Sequence, residues 1–174
     1  MKTVLICIKF ITLLIAFSSS IVFAQAPANP ASEVKIIGLA ERQQTPEKTE
    51  FSKTSAIYPE GAPFSELVRV DNTLYLAGMI PVKPGTLELV EGGIVEQSHQ
   101  TLNNIKAVLE ANGYSMKNIV KCTVMLSDIS QWSKFNSIYK EYFSAPYPAR
   151  SAMGVKDLAL GALLEVECIG AAVL

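Results

Sequence analysis

From Glu66 onward the apolar residues of this chain switch between alternating and helical spacing, and they do so four times. Leu67 to Val70 and Leu74 to Ala77 are β-rich runs separated by Asp71-Asn72-Thr73, and Asp-Asn between such runs is a hairpin signal. Pro81 and Pro84-Gly85 then mark a loop. Ile94 to Asn112 is expected to be a helix. Leu102, Ile105, Val108 and Leu109 share one face, Gln100, Asn103, Asn104 and Lys106 look away from it, and Asn112-Gly113 stops it. Ile119 to Leu126 alternates again, with Val120, Cys122 and Val124 on one side and Lys121 and Thr123 on the other. A second helix is expected from an N-cap at Ser130 to about Phe143, with Phe135, Ile138, Tyr139 and Tyr142 as its stripe and Trp132 beside them. Ser151 to Val155 and Leu163 to Val173 are the closing strands.

The resulting order, β-β-α-β-α-β-β, predicts an α+β fold: a mixed sheet with two helices on one face. Such a layer leaves its other sheet face bare, and self-association is the economical way to cover it. The aromatic stripe of the second helix reads as core packing before it reads as a ligand box.

Upstream of this domain the chain is of a different kind. Met1 to Ala24 carries Lys2 and Lys9, an apolar run from Phe10 to Phe17, then small residues leading to Val22-Phe23-Ala24. That is the layout of a secretory signal peptide, cleaved after Ala24, and it implies a periplasmic or secreted protein with no membrane attachment after cleavage. The apolar run is short for a membrane span. Residues 25–50, rich in Pro, Ala, Gln and charge, read as a flexible lead-in with a short apolar patch at Val34 to Leu39, and the compact domain is placed at 51–174. The formal charge is −1 for the whole chain, and removing the two signal lysines makes it −3. That balance argues against a nucleic-acid partner.

Few residues are available for chemistry. His99 is the only histidine and has no His or Cys at ligand spacing, so no metal is expected; no G-x-S-x-G and no glycine-rich phosphate loop occur. Cys122 and Cys168 read as core thiols, with a disulfide open to them should their strands prove adjacent. Two features remain. Tyr147-Pro148-Ala149-Arg150-Ser151 sets an arginine after a rigid turn at a strand entry. In Leu164-Glu165-Val166-Glu167-Cys168 both glutamates point away from the apolar face, where they must be paired, solvated or functional. On these residues alone an ordinary solvent face, or a structural Arg–Glu pair at a subunit contact, is favoured over an active site, because ion pairs are commoner.

From about Tyr58 to Val173 the chain resembles the RidA/YjgF family. The segments that carry the likeness are Gly61-Ala62-Pro63-Phe64-Ser65, Leu76-Ala77-Gly78-Met79-Ile80-Pro81, Gln100-Thr101-Leu102-Asn103-Asn104-Ile105, Val120-Lys121-Cys122-Thr123-Val124, Phe135-Asn136-Ser137-Ile138-Tyr139, Pro148-Ala149-Arg150-Ser151 and Glu165-Val166-Glu167-Cys168-Ile169. The resemblance implies a chorismate-mutase-like homotrimer with sites in clefts between subunits. It also implies cofactor-independent hydrolysis of 2-imino acids and their enamines, of the 2-iminobutanoate and 2-iminopropanoate type, to 2-keto acids and ammonia. It implies Arg150 as the fork for the substrate carboxylate and Glu165 as the residue that orients and deprotonates the attacking water. The backbone of Gly78 and Ala152 would contact substrate or water, with Phe64 and Ala77 lining the pocket. Phe64, Ala77 and Met79 stand where the family often has Tyr, Ser and Gln, so a more apolar pocket is expected; Ala152 stands where Cys is common, which changes nothing if only its backbone is used. A non-catalytic trimer binding small carboxylates or unfolded clients in the same clefts, and less favourably an endoribonuclease, are the alternatives.

Overall fold

The computed structural model describes residues 48–52 and 56–173. The expected signal segment, the patch at Val34 to Leu39 and all but the last three residues of the expected lead-in lie outside them. Six strands and two helices follow in order: β1 (Thr49–Phe51), β2 (Leu67–Val70), β3 (Thr73–Leu76), α1 (Ile94–Ala111), β4 (Ile119–Leu126), α2 (Trp132–Tyr142), β5 (Ala149–Gly154) and β6 (Leu164–Ala171). They form one mixed sheet in the order β1-β2-β3-β6-β4-β5, antiparallel throughout except for the parallel pair β4 and β5. The α+β architecture with two helices is the one expected from the switching periods.

Local signals set most of these elements. Val70 pairs with Thr73 across a two-residue turn, and Asp71 takes the left-handed backbone (φ 50°) that Asp tolerates. Helix α1 buries Leu102, Ile105, Val108 and Leu109 completely and ends against Asn112, with Gly113 at φ 81°. Leu164, Val166 and Cys168 of β6 face the core at 0, 0 and 1% exposure, and their neighbours Glu165 and Glu167 face away.

Four features differ from the sequence reading, three because a tertiary partner outweighs the local pattern and one, at Ser130, because a nearby residue caps first. Strand β1 begins at Thr49, inside the expected lead-in, and pairs Glu50 with Arg69. Asn104 is buried rather than outward, because its Nδ2 donates to Ile80 O and Val82 O, both at 3.0 Å, and so fixes the loop after β3 onto α1. A bulge between Ile119 and Lys121 turns Val120 out to 41% exposure and puts Ile119 in the core instead. Ser130 is not the cap of α2. Asp128 accepts from Ser130 N at 2.9 Å and caps the short 3-10 turn that leads into the helix.

Cys122 and Cys168 are directly opposed on β4 and β6, with Cα atoms 4.1 Å apart, and are joined in a disulfide rather than left as core thiols. The sequence showed that both face the core, but it could not show that β6 inserts between β3 and β4. The bridge closes a loop of 46 residues of sequence separation. Replacing both cysteines by alanine is expected to cost about 3 kcal/mol, read as a drop of roughly 10 °C in Tm. An unchanged melting temperature in the double variant would contradict this.

Candidate active site

Glu165 stands on the sheet face opposite the helices. The segment after β3 is clamped to it: Met79 N donates to Val166 O at 2.9 Å, and Val166 N donates to Met79 O at 3.0 Å. This brings Gly78 against the Glu165 carboxyl so closely that a Cβ on residue 78 would lie 2.8 Å from its Cδ. Only glycine leaves room for the carboxylate here.

A second anchor holds the opposite wall. Glu66 is buried and accepts the backbone N–H groups of Ala56, Ile57 and Tyr58 at 2.7, 2.8 and 2.6 Å. The Tyr58 hydroxyl then donates to Gly78 O at 3.0 Å and accepts from Ile80 N at 3.3 Å, while its ring meets Phe64 edge-on at 5.0 Å. Tyr58, Phe64, Gly78, Leu87, Leu160 and Glu165 together line a cleft of about 530 Å³. Burial pushes the Glu165 carboxyl above the usual glutamate range, and the like charge of Glu167 adds to it. Burial also raises the Tyr58 hydroxyl, against the N–H of Ile80, which lowers it.

Arg150 is elsewhere. In the β4–β5 register it lies beside Cys122, which faces the helices, whereas Glu165 lies beside Met125, three residues further along β4. Alternation therefore puts the two side chains on opposite faces of the sheet. Arg150 Nη2 donates to Asn136 Oδ1 at 2.7 Å, and its guanidinium carbon sits 4.5 Å from the Tyr139 ring centroid, 5.7 Å from Trp132 and 5.9 Å from Phe135. The aromatic stripe of α2 is thus both core and cradle: Phe135 and Tyr139 are buried, and Trp132 is 40% exposed beside the arginine. Nη1 of Arg150 and the Tyr139 hydroxyl are buried without hydrogen-bond partners among the described residues.

Ala152 follows on the same strand, which ends the sheet. Val155 N bonds inward to Leu126 O, so by alternation the carbonyl of Ala152 points outward from that open edge. Ala77 packs against the core and Met79 is fully buried; of the three residues expected to make the pocket apolar, Phe64 is the one that lines the cleft. The chain thus brings Glu165, Gly78 and Phe64 together and leaves Arg150 and Ala152 on the other side of the sheet. Sequence reading missed Glu66, Tyr58, Leu87 and Leu160. Each is an ordinary residue in its own segment, and none carries a local signal. His99 is half-buried, its Nδ1 3.1 Å from the Tyr142 hydroxyl. Among the described residues no group of three or more His, Cys, Asp or Glu side chains converges.

Comparison with known proteins agrees with the fold. Residues 54–172 match the family model described as Endoribonuclease L-PSP. A RutC family protein of Pyrococcus horikoshii is 45% identical over 107 residues, which cover 62% of this chain and 85% of that protein. A Capra hircus protein named 2-iminobutanoate/2-iminopropanoate deaminase is 43% identical over the same length, covering 62% of this chain and 78% of its own. The structure of RidA from an Antarctic Psychrobacter superimposes with a TM-score of 0.65 at 36% identity, over 70% of this chain and 98% of that one. The structure of E. coli TdcF with bound serine gives 0.64 at 30%, over 70% and 98%. With the family model spanning nearly all of the described sheet and helices, this chain belongs to the Endoribonuclease L-PSP family, the RidA/YjgF family of imine deaminases and their relatives.

Proposed function

We propose that this protein hydrolyses 2-imino acids to 2-keto acids and ammonia, as a homotrimer whose sites form between copies and without a cofactor. The observation that carries the reading is the Glu165 carboxyl, held against Gly78 in a largely apolar cleft and raised in pKa by its burial. A carboxylate whose pKa is raised in this way is a stronger general base than a solvated one. Arg150 complements it from the far face, so one copy supplies the cleft with Glu165 and the next supplies the edge strand with Arg150. The guanidinium fork takes the substrate carboxylate in two parallel hydrogen bonds, with Asn136 and the Tyr139 ring holding its plane. The Gly78 N–H assists. Glu165 and the outward Ala152 carbonyl hold a water, Glu165 takes its proton, and the oxygen adds to the imine carbon. Collapse of the tetrahedral carbinolamine expels ammonia, which leaves with the proton. The iminium is already electrophilic, so positioning supplies most of the acceleration.

The relatives named as 2-iminobutanoate/2-iminopropanoate deaminases support this chemistry, and serine bound in TdcF supports an amino-acid-like carboxylate as the ligand. The Cys122–Cys168 bridge supports export, because such bridges persist in oxidising compartments. We therefore keep the signal peptide, with cleavage after Ala24, and a periplasmic or secreted location as part of the proposal. The test is ammonia release from freshly generated 2-iminopropanoate by the purified mature protein. A rate no faster than buffer would reject the enzyme in favour of a binding trimer.

The pH dependence is set by Glu165. Its pKa lies above the ordinary glutamate value, so protonation on acidification removes the base early, and kcat/KM is expected to fall at a higher pH than a solvated carboxylate would give. Glu167→Gln removes the like charge and moves this acid limb to lower pH, read from the rate profile. A limb that stays put in the Glu167 variant would show that another group controls it.

A further inference from the structure

Past the end of β3, residues 78–80 have a partner strand on one side only. Met79 exchanges both of its backbone hydrogen bonds with Val166 of β6. On the other side the pairing with β2 runs out at Leu76 and Leu67, and one last bond joins Ala77 N to Glu66 O. Extended backbone aims the carbonyl of Gly78 and the N–H of Ile80 to that side, where no strand is left to take them. The Tyr58 hydroxyl takes both. It donates to Gly78 O at 3.0 Å and accepts from Ile80 N at 3.3 Å. One atom that donates and accepts is needed for this, and a phenol oxygen is such an atom. Each peptide unit flanking Met79 is therefore held at both ends. The 78–79 unit has its oxygen on Tyr58 and its N–H on Val166, and the 79–80 unit has its oxygen on Val166 and its N–H on Tyr58.

This clamp fixes the backbone that leaves Gly78, the residue pressed against the Glu165 carboxyl. Tyr58 is itself anchored. Its N–H and those of Ala56 and Ile57 are bound by the buried Glu66, and its ring meets Phe64 edge-on. Tyr58 is 5% exposed within one chain, so none of these contacts waits for a second copy. Burial, and after it the negative charge of Glu165, raise the pKa of the hydroxyl, which therefore stays protonated and keeps donating across the neutral range. Resting on the deaminase reading, we infer that Tyr58 is a positioning residue for the hydrolysis: through Gly78 it holds the Glu165 carboxyl and its water in line with the imine carbon. It acts through the backbone and takes no proton itself. The consequence is a split between rate and binding. The Arg150 fork comes from the next copy and does not depend on Tyr58. The line from Glu165 to the imine carbon does, and a small displacement there costs a large factor in rate.

The experiment compares wild type with Tyr58→Phe, which keeps the ring and loses the hydroxyl. Ammonia release from freshly generated 2-iminopropanoate is followed well below both melting temperatures. In the variant kcat is expected to fall about tenfold or more, with KM held within about threefold. Amide hydrogen exchange gives a second measurement on the same two proteins. The Ile80 N–H is expected to exchange about tenfold faster or more in the variant, while the Met79 N–H, bonded to Val166, keeps its rate. A wild-type kcat in the variant overturns the inference and leaves the deaminase reading standing. So does a loss carried by KM alone, or unchanged exchange at Ile80. A variant too unstable to assay overturns it as well, because the hydroxyl then serves the fold at large. No acceleration by the wild type sinks the deaminase reading and the positioning role with it.

Discussion

Arg150→Ala is expected to reduce kcat/KM for imine hydrolysis about a thousandfold while the fold persists. The arginine is half-buried at the sheet edge, and its Nη2 is committed to Asn136 while the plane of the group rests on Tyr139 and Trp132. That arrangement fixes direction as well as charge. Truncation removes a charge-assisted bidentate contact to the substrate carboxylate, and losing one partner of a desolvated charge pair costs roughly 4 kcal/mol. Because the carboxylate is bound in ground and transition states alike, the loss appears first as a rise in KM, and kcat falls only so far as the imine carbon is no longer held against the water. Arg150→Lys keeps the charge but not the fork, and is expected to recover only a small part of the rate. Wild-type turnover in the alanine variant would remove Arg150 from the site. A collapsed melting temperature would show instead that its role is to pack against α2.

The second large effect is on stability. Glu66→Ala is expected to destabilise the domain by about 4 kcal/mol, read as a fall of roughly 15 °C in Tm. One buried carboxylate satisfies three successive N–H groups of the segment 56–58. Alanine leaves all three without their acceptor and opens a void beneath Tyr58. Glu66→Gln keeps one acceptor oxygen and should lose about half as much. The loss also reaches the site, since Tyr58 ties that segment to Gly78 and Ile80. A melt within a degree or two of wild type would mean that the segment finds other partners.

How far the sequence carried can be read residue by residue. The Asp71-Asn72 turn, the stripe of α1, the Asn112-Gly113 stop and the alternation of β6 are local, and the structure keeps all of them. Glu165 and Gly78 were named from the family likeness, and they meet in one cleft. Glu66 was invisible because nothing within its own run distinguishes a carboxylate that caps a loop ten residues upstream from a solvated one. Asn104 misled for the same reason: on the helix it sits with polar neighbours, and its partners Ile80 and Val82 are more than twenty residues away. Val120 misled because a bulge shifts the alternation by one residue, and a bulge is set by the partner strand.

The sequence by itself therefore determined the types and order of the elements from β2 onward and, apart from residues such as Asn104 and Val120, which side of each faces the core, because these follow from backbone geometry and hydrophobic period within ten or twenty residues. Only the tertiary structure decided that β6 inserts between β3 and β4. That insertion pairs Cys122 with Cys168, sets Glu165 beside Gly78, and puts Arg150 on the opposite face at the sheet edge. Strand order is a competition among long-range pairings that all bury the same apolar faces, and no local residue pattern ranks them.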